Sequence, residues 1–343
     1  MKAALYYKNN KKLIIKDISI EDPKDNEVQV KVMACGICGS DLHLIHGILK
    51  PIKDPIIPGH EASGVIEKVG KNVKQFKIGD RVVISAGTSC GKCDFCKNHQ
   101  ENLCEEVGVL GFNRDGAFAQ YINIPETNIA LLPENIPFEE GAILADAVST
   151  PYHAIKYAGN FQKGQNILII GCGGLGIHAI KIAKALEANQ IYAFDIDEFA
   201  LENAKKAGAN HVYNSKHIKD TIKKIQKEIK FSLILDFTGN YEFIEPLLRL
   251  LYSGGKYILV GLSKKELQIK IPALIVFRSL SICGSYGSDS RALPELIQLY
   301  QENKLNLKDS ISGIYPLEEI NECFEKLEKR INNPIRLVIA PNL

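Results

Sequence analysis

Two rhythms of hydrophobic and polar residues divide this chain. Up to about residue 145, short apolar runs are punctuated by glycine and proline: KLIIKDI, EVQVKVMA, SGVIEKV, RVVIS and FAQYINI. Brief, evenly spaced runs of this kind predict an irregular, barrel-like all-β domain. From about residue 150 apolar strands alternate with helical stretches. The strands are ILII (167–170), IYAF (191–194), HVY (211–213), LILDF (233–237), YILV (257–260) and LSIC (280–283). Between the first two, Leu175, Ala179, Ile182, Ala183 and Leu186 fall at helical spacing. EFALENAKKAGA then predicts a second helix, stopped by Gly208. Buried strands alternating with helices imply a parallel, doubly wound sheet, and six strands fit two β-α-β-α-β halves. RALPELIQLYQEN and LEEINECFEKLEKR then predict amphipathic helices, and IRLVIA a closing strand.

A length of 343 residues allows one very large domain or two ordinary ones. With 45% hydrophobic and 24% charged residues, the composition is that of a soluble globular protein. A formal net charge of +2 gives no electrostatic case for nucleic acid or an anionic membrane as partner. The start, MKAALYYKNNKKLIIKD, has no apolar run of signal-peptide length, and no stretch approaches the ~18 apolar residues of a membrane span. A cytoplasmic protein is expected. Reducing cytosol argues against structural disulfides, and the nine cysteines are an odd number.

ILIIGCGGLGI places Gly171-x-Gly173-x-x-Gly176 between a buried strand and a helix, as a dinucleotide fingerprint requires. Gly171 would permit the tight turn, Gly173 would let the backbone approach a pyrophosphate, and Gly176 would allow close helix–strand contact. Gly174 and Leu175 open the helix, whose N-terminus would face the phosphates. The next strand ends at Asp195, nineteen residues beyond Gly176, where an acid binds the adenine ribose hydroxyls. Its charge would repel a 2′-phosphate, which favours NAD over NADP.

Cys90, Cys93, Cys96 and Cys104 stand at C-x2-C-x2-C-x7-C spacing. Four thiolates fill a tetrahedral zinc shell and leave no open position, so such a site braces a loop and performs no chemistry. An iron–sulfur cluster would use similar spacing, but nothing else suggests electron transfer. A redox pair would need only two of the four thiols. His99 lies within the lobe and reads as a solvated loop residue.

Cys38 and His60, in CGICGSDLHLIHG and PGHEASG, are ligand types that suit zinc. Three protein ligands and one open position would make a catalytic site. Spacing alone does not bring the two together. Taken singly, Cys35 and Cys38 read equally as core thiols or a redox pair, and His60 as a core histidine.

CGICGSDLH, GHEASGVIEKVG, the cysteine lobe, DGAFAQYI, GCGGLG and GSYGSDSR, in this order, resemble the zinc-containing medium-chain alcohol dehydrogenases over essentially the full chain. The resemblance implies a GroES-like β-barrel catalytic domain (1–149 and 289–343, with a structural zinc lobe about 88–106) and a Rossmann domain (150–288). It implies Cys38 and His60 as catalytic zinc ligands, Asp41 as the carboxylate that orients the ligand histidine, and Ser40 with His43 as a proton-relay pair. Glu61 matches an acid that can approach the metal. Where many members have a third cysteine ligand, this chain has Asp146, in LADAVSTPYHA. A branch of the family active on secondary alcohols has aspartate there, which implies Asp146 as third ligand; the alternative is direct ligation by Glu61. Thr150 matches a residue packing against the nicotinamide, and Arg336 one contacting the pyrophosphate. Gly39 stands where some relatives carry a basic pyrophosphate contact. Cys172, Cys283 and Cys323 match no functional position.

The implied activity is oxidation of an alcohol by NAD at a zinc site, or reduction of the ketone or aldehyde in reverse. Zinc can lower the pKa of bound water from ~15.7 to ~7. Ser40 and His43 would lead the proton to solvent, and the cofactor would take the hydride. A polyol, sugar or hydroxyacyl-CoA dehydrogenase on the same frame is the alternative. A dinucleotide-binding regulator would have no use for the relay residues. The expected partners are a small alcohol or ketone and further copies of the chain, as homodimer or homotetramer.

Overall fold

In the first part of the chain the apolar runs pair into antiparallel sheet. The strands are β1 (Lys2–Leu5), β2 (Ile14–Asp17), β3 (Glu27–Gly36), β4 (Glu61–Val69), β5 (Arg81–Ile84), β6 (Gly87–Thr88), β7 (Gly108–Val109), β8 (Tyr121–Pro125) and β9 (Ile129–Leu131). This computed structural model describes residues 1–8 and 10–343. Long β3 is the hub: it pairs antiparallel with β4 and β8, and β4 carries β5, which carries β9. Its Val28, Val30 and Val32 are fully buried. Valine suits this position, because β-branched side chains pack well on a pleated surface.

Two later strands, β16 (Ile311–Pro316) and β17 (Arg336–Ala340), complete the sheet, in the order β16-β17-β3-β4-β5-β9 with β8 also on β3. β16 has no counterpart among the strands expected from sequence. ISGIYP alternates too weakly and is broken by Gly313; its pairing with β17 makes it a strand. Residues Met1–Ser149 and Gly287–Leu343 thus form one unit, and Thr150–Tyr286 the other. Within the first, the helix Ile320–Glu328 returns onto the barrel core, where Phe324 meets the fully buried Phe118 edge to face, ring centroids 6.1 Å apart.

The second unit contains β10 (Asn166–Ile170), β11 (Gln190–Asp195), β12 (His211–Asn214), β13 (Phe231–Asp236), β14 (Leu251–Leu259) and β15 (Ser281–Gly284). All five pairings are parallel, in the order β12-β11-β10-β13-β14-β15. Helices at Gly174–Ala185 and Glu198–Ala207 follow β10 and β11. At the end of β10, Gly171 has φ +88°, and a Cβ on Gly176 would lie 1.8 Å from the Gly171 carbonyl oxygen. Only glycine permits both the turn and this approach. The helix Ile218–Ile225, not foreseen, lies in a lysine-rich stretch yet buries Ile218, Ile222 and Ile225 along one face. Among the described residues no helix is long and apolar enough to cross a membrane.

Phe118→Ala is expected to destabilise the first unit by about 3–5 kcal/mol, and a double-mutant cycle with Phe324→Ala to return about 0.5–1.5 kcal/mol of coupling. Urea denaturation measures both, and strictly additive losses would show that the two rings do not pack together.

Candidate metal and dinucleotide sites

Three separate elements aim donors at one point in the first unit. β3 runs into the short helix Gly39–Ile45, with Cys38 at its N-cap. Asp41 fixes that junction: its Oδ2 accepts the Cys38 N–H at 2.9 Å. The other oxygen of the same carboxylate, Oδ1, faces Nδ1 of His60 at 3.4 Å, an electrostatic contact rather than an aligned hydrogen bond. With Nδ1 turned to Asp41, Nε2 of His60 points the other way, 3.6 Å from Asp146 Oδ2. Cys38 Sγ lies 3.5 Å from the same oxygen.

Asp146 comes from a π-helical turn, Leu144–Val148, that follows the helix Phe138–Ile143. Such turns are rare, occur often at functional sites, and re-aim the side chains within them. Leu144, Ala145, Ala147 and Val148 are buried around it, while the Asp146 side chain is 16% exposed.

Donor atoms of Cys38, His60, Glu61 and Asp146 all lie within 4.8 Å of one another. Tetrahedral zinc with ligands at about 2.0–2.3 Å sets them roughly 3.3–3.8 Å apart. The Cys38–Asp146 and His60–Asp146 separations fall in that range. Neither oxygen of Glu61 makes a hydrogen bond, although both are buried. Its Oε1 is 3.1 Å from Nη2 of Arg336, whose own Nε and Nη2 also lack hydrogen bonds. Cys38, Asp146 and Asp41 also act electrostatically on the same guanidinium. Unpaired buried charge is costly, so this set calls for a cation, and zinc fits its sulfur, nitrogen and oxygen donors.

Burial and neighbouring charge also perturb the ionisation of these groups. Burial raises the Cys38 thiol, with Arg336 pulling it down. Burial would lower His60, but the carboxylates of Asp41 and Asp146 hold it well above its ordinary value. Burial lifts Glu61 to about 7 against the attraction of Arg336.

Ser40 Oγ stands 3.1 Å from His60 Nε2, beside the donor set. His43 is half-buried one turn further along the same helix; burial, then the neighbouring His46, lowers its pKa. Arg336, expected at a pyrophosphate, has a partner within the first unit that the sequence did not announce. It is 3% exposed, paired with Glu61, and its Nη1 donates to the Ile37 carbonyl at 3.3 Å, so within its unit the guanidinium stands beside the donor cluster. Gly39 is exposed at the helix start, and Cys35 is fully buried and does not belong to the donor group.

The four lobe cysteines form a second cluster, their sulfurs also within 4.8 Å of one another. Cys93 and Cys96 sulfurs are 3.5 Å apart and those of Cys90 and Cys96 3.9 Å, close to the edges of a tetrahedral thiolate shell. Backbone N–H groups of Lys92 and Cys93 lower the Cys90 thiol to about 6. His99 stays outside: it is exposed, its Nδ1 3.2 Å from Ser290 Oγ.

In the second unit, Asp195 sits at the end of β11 beside the glycine loop. Its Oδ2 accepts the Cys172 N–H at 2.7 Å and its Oδ1 the Asp197 N–H at 3.0 Å. Gly173 and Gly174 lead into the helix with Leu175 and Gly176, and a Cβ on Gly173 would meet only open space. The backbone there is free to receive a phosphate. Cys172 is 2% exposed and its thiol is pushed up by burial. Thr150, the first residue of this unit, is buried.

Residues 24–134 match the family model for the alcohol dehydrogenase GroES-like domain, and residues 174–302 that for zinc-binding dehydrogenases. An alcohol dehydrogenase of Geobacillus stearothermophilus is 36% identical, covering 99% of this chain and 100% of the relative. Sorbitol dehydrogenase of Bacillus subtilis is 33% identical over 100% of this chain and 98% of its own. The solved structure of an alcohol dehydrogenase from Thermus sp. ATN1 superposes with a TM-score of 0.91 at 27% identity, covering 99% of each chain. A zinc-suited donor set on a GroES-like unit, a glycine loop on a parallel sheet and these likenesses along the whole chain have one reading: the chain belongs to the zinc-dependent medium-chain alcohol dehydrogenases and is an oxidoreductase that works with zinc and NAD.

Proposed function

We propose that this enzyme interconverts a secondary alcohol and its ketone, with Cys38, His60 and Asp146 holding the catalytic zinc and the four lobe cysteines a structural one. The convergence of Cys38, His60 and Asp146 at 3.5–3.6 Å carries this reading. Glu61 belongs to the same donor group but is paired with Arg336. Zinc in such a site supplies Lewis acidity that makes an alcohol hydroxyl acidic, and NAD accepts the hydride. The sorbitol dehydrogenase among its relatives is named for a polyol, which also carries secondary hydroxyls, so polyols belong in the substrate screen.

The residues around the donors would handle the proton. Ser40, whose Oγ lies 3.1 Å from His60 Nε2, would accept it from the substrate hydroxyl as its own hydroxyl proton moves on toward His43. Burial keeps His43 below its ordinary pKa, so it is neutral near pH 7 and can act as acceptor. Below that pKa it is already protonated and the path is blocked. Asp41 would fix the His60 ring, and Glu61 would add a carboxylate beside the ligands. We assign Thr150 to the nicotinamide side, Asp195 to the adenine ribose, and the loop Gly171, Gly173, Gly174, Leu175 and Gly176 to the pyrophosphate. The reducing cytoplasm suits the thiol clusters.

We also propose a homodimer or homotetramer. The helix Pro272–Arg278 buries none of its residues, Val276 and Phe277 are 73% and 86% exposed, and β15 is an open sheet edge. Light scattering should give a multiple of the chain mass; a single-chain mass would refute this.

Elemental analysis tests the ligand assignment. The wild type should hold two zinc ions per chain, one for each donor group, and Asp146→Ala about one, with NAD-linked alcohol oxidation lost; Glu61→Ala should retain both ions. The reverse result would make Glu61 the third ligand.

For the relay, His43→Gln should slow alcohol oxidation by roughly tenfold or more near pH 6–7, with the deficit shrinking toward pH 9 as hydroxide replaces the lost base. A deficit independent of pH would remove His43 from the proton path.

A further inference from the structure

The second unit buries a carboxylate that the reading above leaves without a role. Asp236 ends β13 and is 1% exposed. Its Oδ1 accepts both the N–H and the hydroxyl of Thr238, at 2.8 and 2.6 Å. Its Oδ2 accepts the hydroxyl of Tyr257, on β14, at 2.6 Å. Thr238 Oγ1 in turn accepts the Asn240 N–H at 3.0 Å. The Asp236 carbonyl takes the N–H groups of Val260 and Gly261, at 2.9 and 3.0 Å, and the Tyr241 hydroxyl donates to the Gly261 carbonyl. One residue thus ties β13 to β14 and shapes the loops that follow both. A Cβ on Gly239 (φ +68°) would lie 2.2 Å from the Leu262 carbonyl oxygen, so the loops lie in contact. Burial raises the Asp236 carboxyl, and the Thr238 and Tyr257 hydrogen bonds oppose that rise. A strand end in an apolar sheet needs no such group for packing, and burying one is costly.

Its position suggests the purpose. Sheet order puts β11 on one side of β10 and β13 and β14 on the other. With its pyrophosphate on the Gly171 loop and its adenine ribose on Asp195 at the end of β11, a dinucleotide must send its second half over the ends of β13 and β14. Thr238 borders the glycine loop: a Cβ on Gly171 would lie 2.9 Å from Thr238 Cγ2. We infer that Asp236 is a positioning residue for the nicotinamide half of NAD, holding residues 237–241 and 260–262 as the floor on which that half rests. The inference builds on the dinucleotide reading of this rim and needs no contact between Asp236 and the cofactor.

Calorimetric titration of the zinc-loaded enzyme with NADH, and separately with ADP, which carries only the adenosine and pyrophosphate, tests it. Asp236→Asn puts an N–H donor where an acceptor stood; Thr238→Val removes the link from Asp236 to Asn240 while keeping the contact with Gly171. Both variants should bind NADH roughly tenfold more weakly, with the Kd for ADP unchanged within about twofold. Asp195→Ala should weaken both ligands. Equal weakening of NADH and ADP in the Asp236 and Thr238 variants, or no change in either, would overturn the inference. Were Asp195→Ala to leave both affinities intact, the dinucleotide reading of the rim would fail instead. If Asp236→Asn does not fold, Thr238→Val decides alone: selective loss of NADH supports the assignment, and unaltered NADH binding refutes it.

Discussion

The candidate metal site answers to one electrostatic constraint: Cys38, Asp41, His60 and Glu61 are taken out of water together with the Arg336 guanidinium. Charge buried this way is unstable unless opposed. On the proposed assignment a divalent ion would resolve it, by drawing the Cys38 thiol, His60 and Asp146 into their ligating protonation states together. Asp41 shows how tightly backbone and electrostatics are joined. One carboxylate caps the helix that begins after Cys38 and, with its other oxygen, sets which nitrogen of His60 faces the donors.

The two metal-suited clusters are built on different principles. The lobe cysteines lie close in sequence, so little chain entropy opposes their convergence and the loop needs only an ion to set its shape. Cys38 and Asp146 lie 108 residues apart and meet only because the sheet and the π-helical turn hold them. The lobe is closed by four thiols, whereas the other set ends in a partly exposed aspartate beside a hydroxyl. On the proposed reading, stability and chemistry would thereby be separated within one unit.

The dinucleotide unit places acids at the ends of parallel strands in two different settings. Asp195 is half-buried and held by backbone N–H groups, with its charge available to hydroxyls. Asp236 is sealed in and saturated by Thr238 and Tyr257, so its influence passes through the loops it ties. Both lie at the carboxyl ends of the strands, where an open α/β sheet receives its ligands.

Much of this was determined by the sequence alone. Strand runs such as EVQVKVMA and ILII, the glycine loop and the cysteine lobe were legible because their information is local: side-chain shape, backbone freedom and short spacing act within a few residues. Family resemblance supplied Cys38, His60 and the choice of Asp146. Tertiary structure alone decided the rest. ISGIYP became a strand through its pairing with β17; Asp146 was aimed by a π turn that no periodicity announces; Arg336 turned to Glu61 instead of standing free; and Asp236 acquired its partners from a neighbouring strand. In each case the deciding energy is a contact or a desolvation cost between distant residues, and such terms exist only once the chain has folded.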